Sequence, residues 1–234
     1  MIKNSVKTLL LLSLYLLTKS SQAQTQTSGW IAAFHSQKFS DKLGLHFDVQ
    51  LRSHDELNGV RNMLLRPGLT YFLSPKANVA AGYLFTTTDL PANASKNILI
   101  EHRLWQQFIY VYKIRSTSIS HRLRFEQRFI ERETEDIFSQ RFRYFIRGLI
   151  PFNSKGNSFE RGPFAALQNE VFLHLQNKDN FSNHTFDQNR AYIATGYRFK
   201  PSFDLEIGYL NQTTKGTNNN LTNNVFQIAA YTRF

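Results

Sequence analysis

The chain has no cysteine, so it can hold no disulfide framework, no thiolate metal site and no cysteine nucleophile, and its redox compartment has to be read from other features. Carboxylates are scarce: 17 Asp and Glu stand against 28 Lys and Arg, for a formal net charge of +11. Long apolar runs are all but missing. The only sizeable one free of charge lies at the N-terminus, and it is much shorter than the roughly 20 residues a membrane-spanning helix needs. If the mature chain crosses a membrane, it therefore crosses with strands, because only helices and closed sheets satisfy the backbone in lipid. A glycine-rich phosphate loop is absent as well. With 41% hydrophobic and 19% charged residues, the 234-residue chain is long enough for one domain and shows no compositional sign of disorder.

What is present begins with an export signal. Lys3 and Lys7 form a basic start, Leu9 to Leu17 is apolar apart from Ser13, and Ser21-Gln22-Ala23 offers the small residues signal peptidase accepts. These features predict cleavage after Ala23, leaving residues 24–234 as a single domain. Lys3, Lys7 and Lys19 leave with the leader. A basic balance can serve nucleic acid, but in an exported chain it points to outer-membrane lipids and lipopolysaccharide as partners, with no nucleic acid expected.

Past Gly29 the dominant pattern has period two. In Lys42 to Arg52, Leu43, Leu45, Phe47, Val49 and Leu51 alternate with Gly44, His46, Asp48, Gln50 and Arg52, which predicts a strand with one apolar and one polar face. The pattern recurs over 62–73, 78–88, 118–132, 137–149, 164–176, 188–200, 203–213 and 225–234. Trp30 to Phe39 and Ile98 to Tyr112 alternate less cleanly. Brief turns at Ser40-Asp41, Ser74-Pro75-Lys76 and Lys200-Pro201-Ser202 interleave with long polar loops at 53–61, 89–97, 177–187 and 214–224, as in outer-membrane barrels. The long connection from Pro151 to Pro163 breaks this rule. Bacterial single-chain barrels have an even strand number and periplasmic termini, so about eleven segments make Trp30 to Phe39 the doubtful one: a partial strand, an edge element or half of a hairpin. The expectation is an all-β antiparallel transmembrane barrel of about 10–12 strands.

Alternation alone fits a soluble barrel equally well, with its apolar face turned inward. The aromatics decide between them. Tyr71, Tyr110, Tyr197, Phe199 and Phe234 lie beside the short turns, whereas Phe85, Phe129, Phe138, Tyr209 and Phe226 lie toward the long loops, forming one girdle for each lipid interface. Phe226, Ile228, Ala230 and Phe234 share a face of the last segment. That terminal pattern resembles the strand by which barrel assembly machinery recognises outer-membrane proteins. Gly29-Trp30, Gln106-Gln107, Arg141-Phe142-Arg143-Tyr144, Asn169-Glu170 and the G-Y-R-F and E-I-G-Y runs between Tyr192 and Tyr209 resemble an outer-membrane barrel family of unknown function common in Bacteroidota. The resemblance spans essentially the whole mature chain. It implies the fold and the cell outer membrane as location, and carries over no catalytic residue.

The polar face holds the candidate chemistry. Arg122, Arg124, Glu126 and Arg128 on one segment and Arg141, Arg143 and Arg147 on the next cluster guanidiniums around one carboxylate. A tight turn at Ile114-Arg115 sets Glu101 opposite Arg128 and Arg103 opposite Glu126, while the 131–136 loop sets Arg143 opposite Glu126 and Arg141 opposite Arg128. A lumenal ion network is expected from these nine residues. It either fills a narrow barrel with mutually satisfied charge or forms an anion-attracting constriction. Ser53-His54-Asp55, Ser120-His121 and His46 with Asp48 have no recognisable catalytic spacing, and adjacent strand residues such as Ser120 and His121 point to opposite faces. His102 and His174 have no second ligand at metal spacing, so neither metal nor cofactor is expected. Asp204 and Glu206 share a face and read as partners for lumenal arginines. A small passive, porin-like channel or structural barrel with an Arg-rich lumen is the expectation, with no enzyme activity foreseen; a barrel hydrolase acting on lipid or peptide is the alternative.

Overall fold

The computed structural model describes residues 24–90, 97–132, 135–153 and 158–234; the expected leader and its cleavage point lie outside the described residues. Period-two alternation becomes eleven strands: β1 (Gln24–Lys38), β2 (Leu43–Ser53), β3 (Val60–Ser74), β4 (Ala77–Asp89), β5 (Ile98–Ile114), β6 (Thr117–Ile130), β7 (Ile137–Pro151), β8 (Gly162–Gln176), β9 (Phe186–Lys200), β10 (Phe203–Thr214) and β11 (Leu221–Arg233). Each hydrogen-bonds to its sequence neighbours, and β1 closes the barrel against β11. Closure leaves no unpaired edge, which a sheet exposed to lipid requires.

The doubtful N-terminal segment is a full strand. β1 pairs antiparallel with β2 (Ile31 opposite Leu51) and parallel with β11 (Gln24 opposite Leu221, Ser36 opposite Arg233). The even number and paired periplasmic termini expected from the general rule therefore do not hold: Gln24 sits at the long-loop rim and Phe234 at the short-turn rim. β1 and β11 both begin earlier than the alternation shows. Their opening residues, Gln24 to Ser28 and, after Leu221, Thr222 to Asn224, are polar on both faces and carry no period to read.

The apolar face is outside. Ile31, Leu69, Ile193, Ile207 and Phe226 are all more than half exposed, whereas the alternating positions Asp48, Arg124, Glu126, Asp204 and Glu206 are essentially buried. A sheet that hides its charges and shows its aliphatics has inverted the soluble arrangement, and lipid is the solvent that favours this. Both girdles are in place, with Phe129 on Phe138 (5.1 Å) and Tyr209 on Phe226 (6.1 Å) at one rim, and Tyr197 on Phe199 (5.0 Å) at the other. Inside, bulky rings fit where a facing strand has no side chain. A Cβ on Gly82 would lie 2.6 Å from the Trp105 indole and 2.2 Å from the Pro67 carbonyl oxygen, so only glycine admits that ring.

Candidate functional site

The lumenal wall is built by inward-pointing alternate residues of all eleven strands, and its dominant side chain is arginine. The tight turn after β5 falls at Arg115-Ser116, with Arg115 at φ 55°, one residue later than expected. Moving a turn by one residue slides the register by two, so every side chain keeps its face but meets another partner. Arg103 thus stands opposite Arg128 and Glu101 opposite Ile130. Across β6 and β7, Arg141 stands opposite Glu126 and Arg143 opposite Arg124. The four expected cross-strand pairs are corrected accordingly.

The charges nevertheless meet, because an arginine reaches diagonal neighbours on a sheet face. Glu101 accepts from Arg103 Nε (2.7 Å) and Arg128 Nε (2.5 Å). Glu126 accepts from Arg141 Nη2 (2.7 Å) and Arg143 Nη1 (2.5 Å), and lies 3.7 Å from Arg103 Nη1. Glu170 joins the set through Arg122 (2.7 Å) and Arg143 (2.8 Å), and Asp187 through Arg141 (3.0 Å). Seven of the nine expected residues belong to this one network. Arg124 donates instead to Gln107 Oε1, and Arg147 pairs with Glu206 at 2.5 Å. Asp204 holds Arg198 (2.7 Å) and Arg233 (2.6 Å). Glu170 and Asp187 were missed because their contacts run diagonally to β7 or skip a strand, which alternation does not reveal; their inward phase in β8 and β9 was the available signal.

A cavity of about 390 Å³ lies beside the network. Arg52, Arg66, Arg103, Arg122, Arg141, Arg143, Arg147 and Arg190 line it, with Glu170 as the single carboxylate among the described lining residues. Guanidiniums are stacked on rings around it: Arg143 lies 4.3 Å from Phe172 and Arg122 4.4 Å from Phe145. Loops fold inward at both rims. At the long-loop rim Phe181 stacks on His174 at 4.7 Å and lies 5.1 Å from the Arg128 guanidinium. At the other rim the connection between β7 and β8 tucks Phe159 inside, where Arg198 covers its ring at 4.6 Å and donates to its carbonyl at 2.9 Å. That contact gives the described part of the long connection on the short-turn side a packing role, with Phe159 buried under Arg198.

The structure brings together His46 and Asp48, which the sequence places on one polar face, and gives other histidines partners that the sequence does not show. His102, on the lipid-facing wall, bonds Tyr83 through Nδ1 and Glu131 through Nε2 (3.2 Å), and His174 lies 3.5 Å from Asp187. His46 contacts Asp48 at 3.2 Å, and His54 contacts Asp89 at 2.8 Å. His121 bonds Tyr144 rather than Ser120. No group of three metal-ligating side chains converges among the described residues. Phe226, Ile228 and Phe234 are exposed on the outer face beside the β1–β11 seam.

Closed strands, lipid-type outer wall and charged lumen define an outer-membrane-type β-barrel. Within that class the chain belongs to the family described as Protein of unknown function (DUF2490), which matches residues 27–223. An uncharacterized protein of Methylorubrum extorquens is 26% identical over 169 residues, 72% of this chain and 70% of that protein. Among solved structures, LpxR from Salmonella typhimurium is distantly similar, with a TM-score of 0.43 at 10% identity over 81% of this chain and 83% of its own.

Proposed function

We propose that the protein is an outer-membrane barrel, its long loops facing outward, whose lumen draws in and holds small anions. One observation carries this reading: eight arginines and one carboxylate line the cavity, and although buried carboxylates pair with six of the eight, Arg52 and Arg190 form no ion pair among the described residues. Rings of arginine favour anions in a pore, and low-dielectric walls strengthen that preference. The exposed Phe226, Ile228 and Phe234 fit recognition by barrel assembly machinery, and the girdles fit insertion among outer-membrane lipids and lipopolysaccharide. Planar-bilayer recording across a potassium chloride gradient tests the reading: a reversal potential of anion-selective sign is expected, and cation preference or no conductance sinks the transport half of it.

A second reading, a lipid-acting hydrolase, is favoured by one arrangement. Tyr83, His102 and Glu131 stand hydroxyl to imidazole to carboxylate near the long-loop rim of the lipid face, the order of a nucleophile, base and orienting group. Fatty-acid release from phospholipid vesicles that disappears in His102→Ala would put this reading first.

A further inference from the structure

Buried carboxylates neutralise most of the lumenal arginines, but three form no ion pair among the described residues: Arg124, which donates to Gln107 and does not line the cavity, and Arg52 and Arg190, which do line it. Arg52 makes one side-chain hydrogen bond, from Nη2 to Gln50 Oε1 at 2.8 Å, and its Nε is buried without a partner. Arg190 likewise buries an unpartnered Nε. Both guanidiniums lie over the same ring, that of Trp30, at 3.9 Å and 5.1 Å, although they come from β2 and β9. Both face the cavity, and the Nε atoms of Arg66 and Arg122 on its wall are also buried and unpartnered.

Two like charges gathered on one indole, away from bulk water, repel each other unless an anion lies between them. Glu170 stands opposite Arg190 in the β8–β9 register and offsets part of its charge, but it is already ion-paired with Arg122 and Arg143 and makes no ion pair with Arg52 or Arg190. A guanidinium presents five N–H donors in a planar fork, and two forks offer more donors than the two oxygens of a carboxylate can accept. A phosphate group, with three or more oxygens and up to two negative charges, matches both the donor count and the charge. Trp30, Phe172 and Tyr231 supply apolar wall on which the organic part of an ester can rest.

We propose that Arg52 and Arg190, gathered on Trp30, form a binding site for a phosphate group, free or as a small phosphomonoester. The site rests on the reading of the lumen as anion-binding and gives that reading a ligand class. Trp30 reports on it directly, since the chain has only 2 tryptophans. The test is a fluorescence titration of the folded full chain in detergent with inorganic phosphate, phenyl phosphate and, at matched ionic strength, chloride.

A saturable change with either phosphate compound, absent with chloride and absent in Trp30→Phe, is expected. Arg52→Gln with Arg190→Gln should weaken it at least tenfold. Tighter binding of phenyl phosphate assigns the site to esters, whereas equal binding assigns it to the phosphate group alone. No saturable change, or an unaltered titration in the double variant, overturns the proposal. If the double variant does not fold, Arg190→Lys keeps the charge and removes the fork, and calorimetry should show the same direction of loss; unchanged affinity overturns the site. Anion-selective conductance without a Trp30 response would remove this site and leave the channel, and binding without conductance would do the reverse.

Discussion

Glu126 shows what a single side chain does in this lumen. It is almost fully buried, accepts from Arg141 and Arg143 and stands 3.7 Å from Arg103, so one carboxylate compensates three guanidiniums. Removing one member of a buried charge set costs more than the set contributes net, because the partners stay buried and uncompensated. Glu126→Gln should therefore destabilise the folded barrel by about 3–5 kcal/mol. Heat-modifiability on gels, comparing the variant with Glu131→Gln at the half-exposed rim, should show a marked loss for the first and little for the second. Equal behaviour would mean that lumenal water, not Glu126, compensates the arginines. Conservation of fork geometry matters here too: lysine at position 143 could not bridge Glu126 and Glu170 as Arg143 does.

A strand in this fold is two surfaces with one backbone, and β9 separates them cleanly. Ile193 is more than half exposed on the outer wall, while its neighbours Tyr192 and Ala194 are buried. Ile193→Arg should cost about 2–4 kcal/mol if that wall meets lipid near its midplane, read from reversible denaturant unfolding in vesicles. Near-zero cost would mean that the outer wall faces water. This face assignment was legible in the sequence because side-chain period and strand period are both two, and a lumen of charges leaves no other orientation. Partners were not legible. The slip of the Arg115-Ser116 turn changed every pair across β5 and β6 without moving a side chain to the other face, and alternation is blind to a shift of two. Phe159 and Phe181 were equally hidden, since a loop residue that folds into a lumen has no periodic neighbours to mark it. Nor could the polar start of β1 announce itself: Gln24 to Ser28 is held by pairing with Leu221 to Val225, nearly two hundred residues later.

At the scale of the whole molecule, an odd strand count fixes where the two described ends lie. With each successive strand reversing direction, eleven strands bring β1 and β11 together in parallel, so Gln24 lies beside Leu221 at the long-loop rim while Arg233 lies at the other. If the long loops face outward, position 25 must be accessible from the same side as position 219 and from the side opposite to Lys76 in a short turn. The natural lack of cysteine makes this directly testable, because each introduced thiol is the only one in the chain. Thr25→Cys and Asn219→Cys should react with a membrane-impermeant maleimide on intact cells, and Lys76→Cys only after the outer membrane is permeabilised. Labelling of Asn219→Cys on intact cells with Thr25→Cys protected until permeabilisation would place the start of β1 at the inner rim. That result is incompatible with a parallel seam, and the barrel would then have to close through an even number of strands.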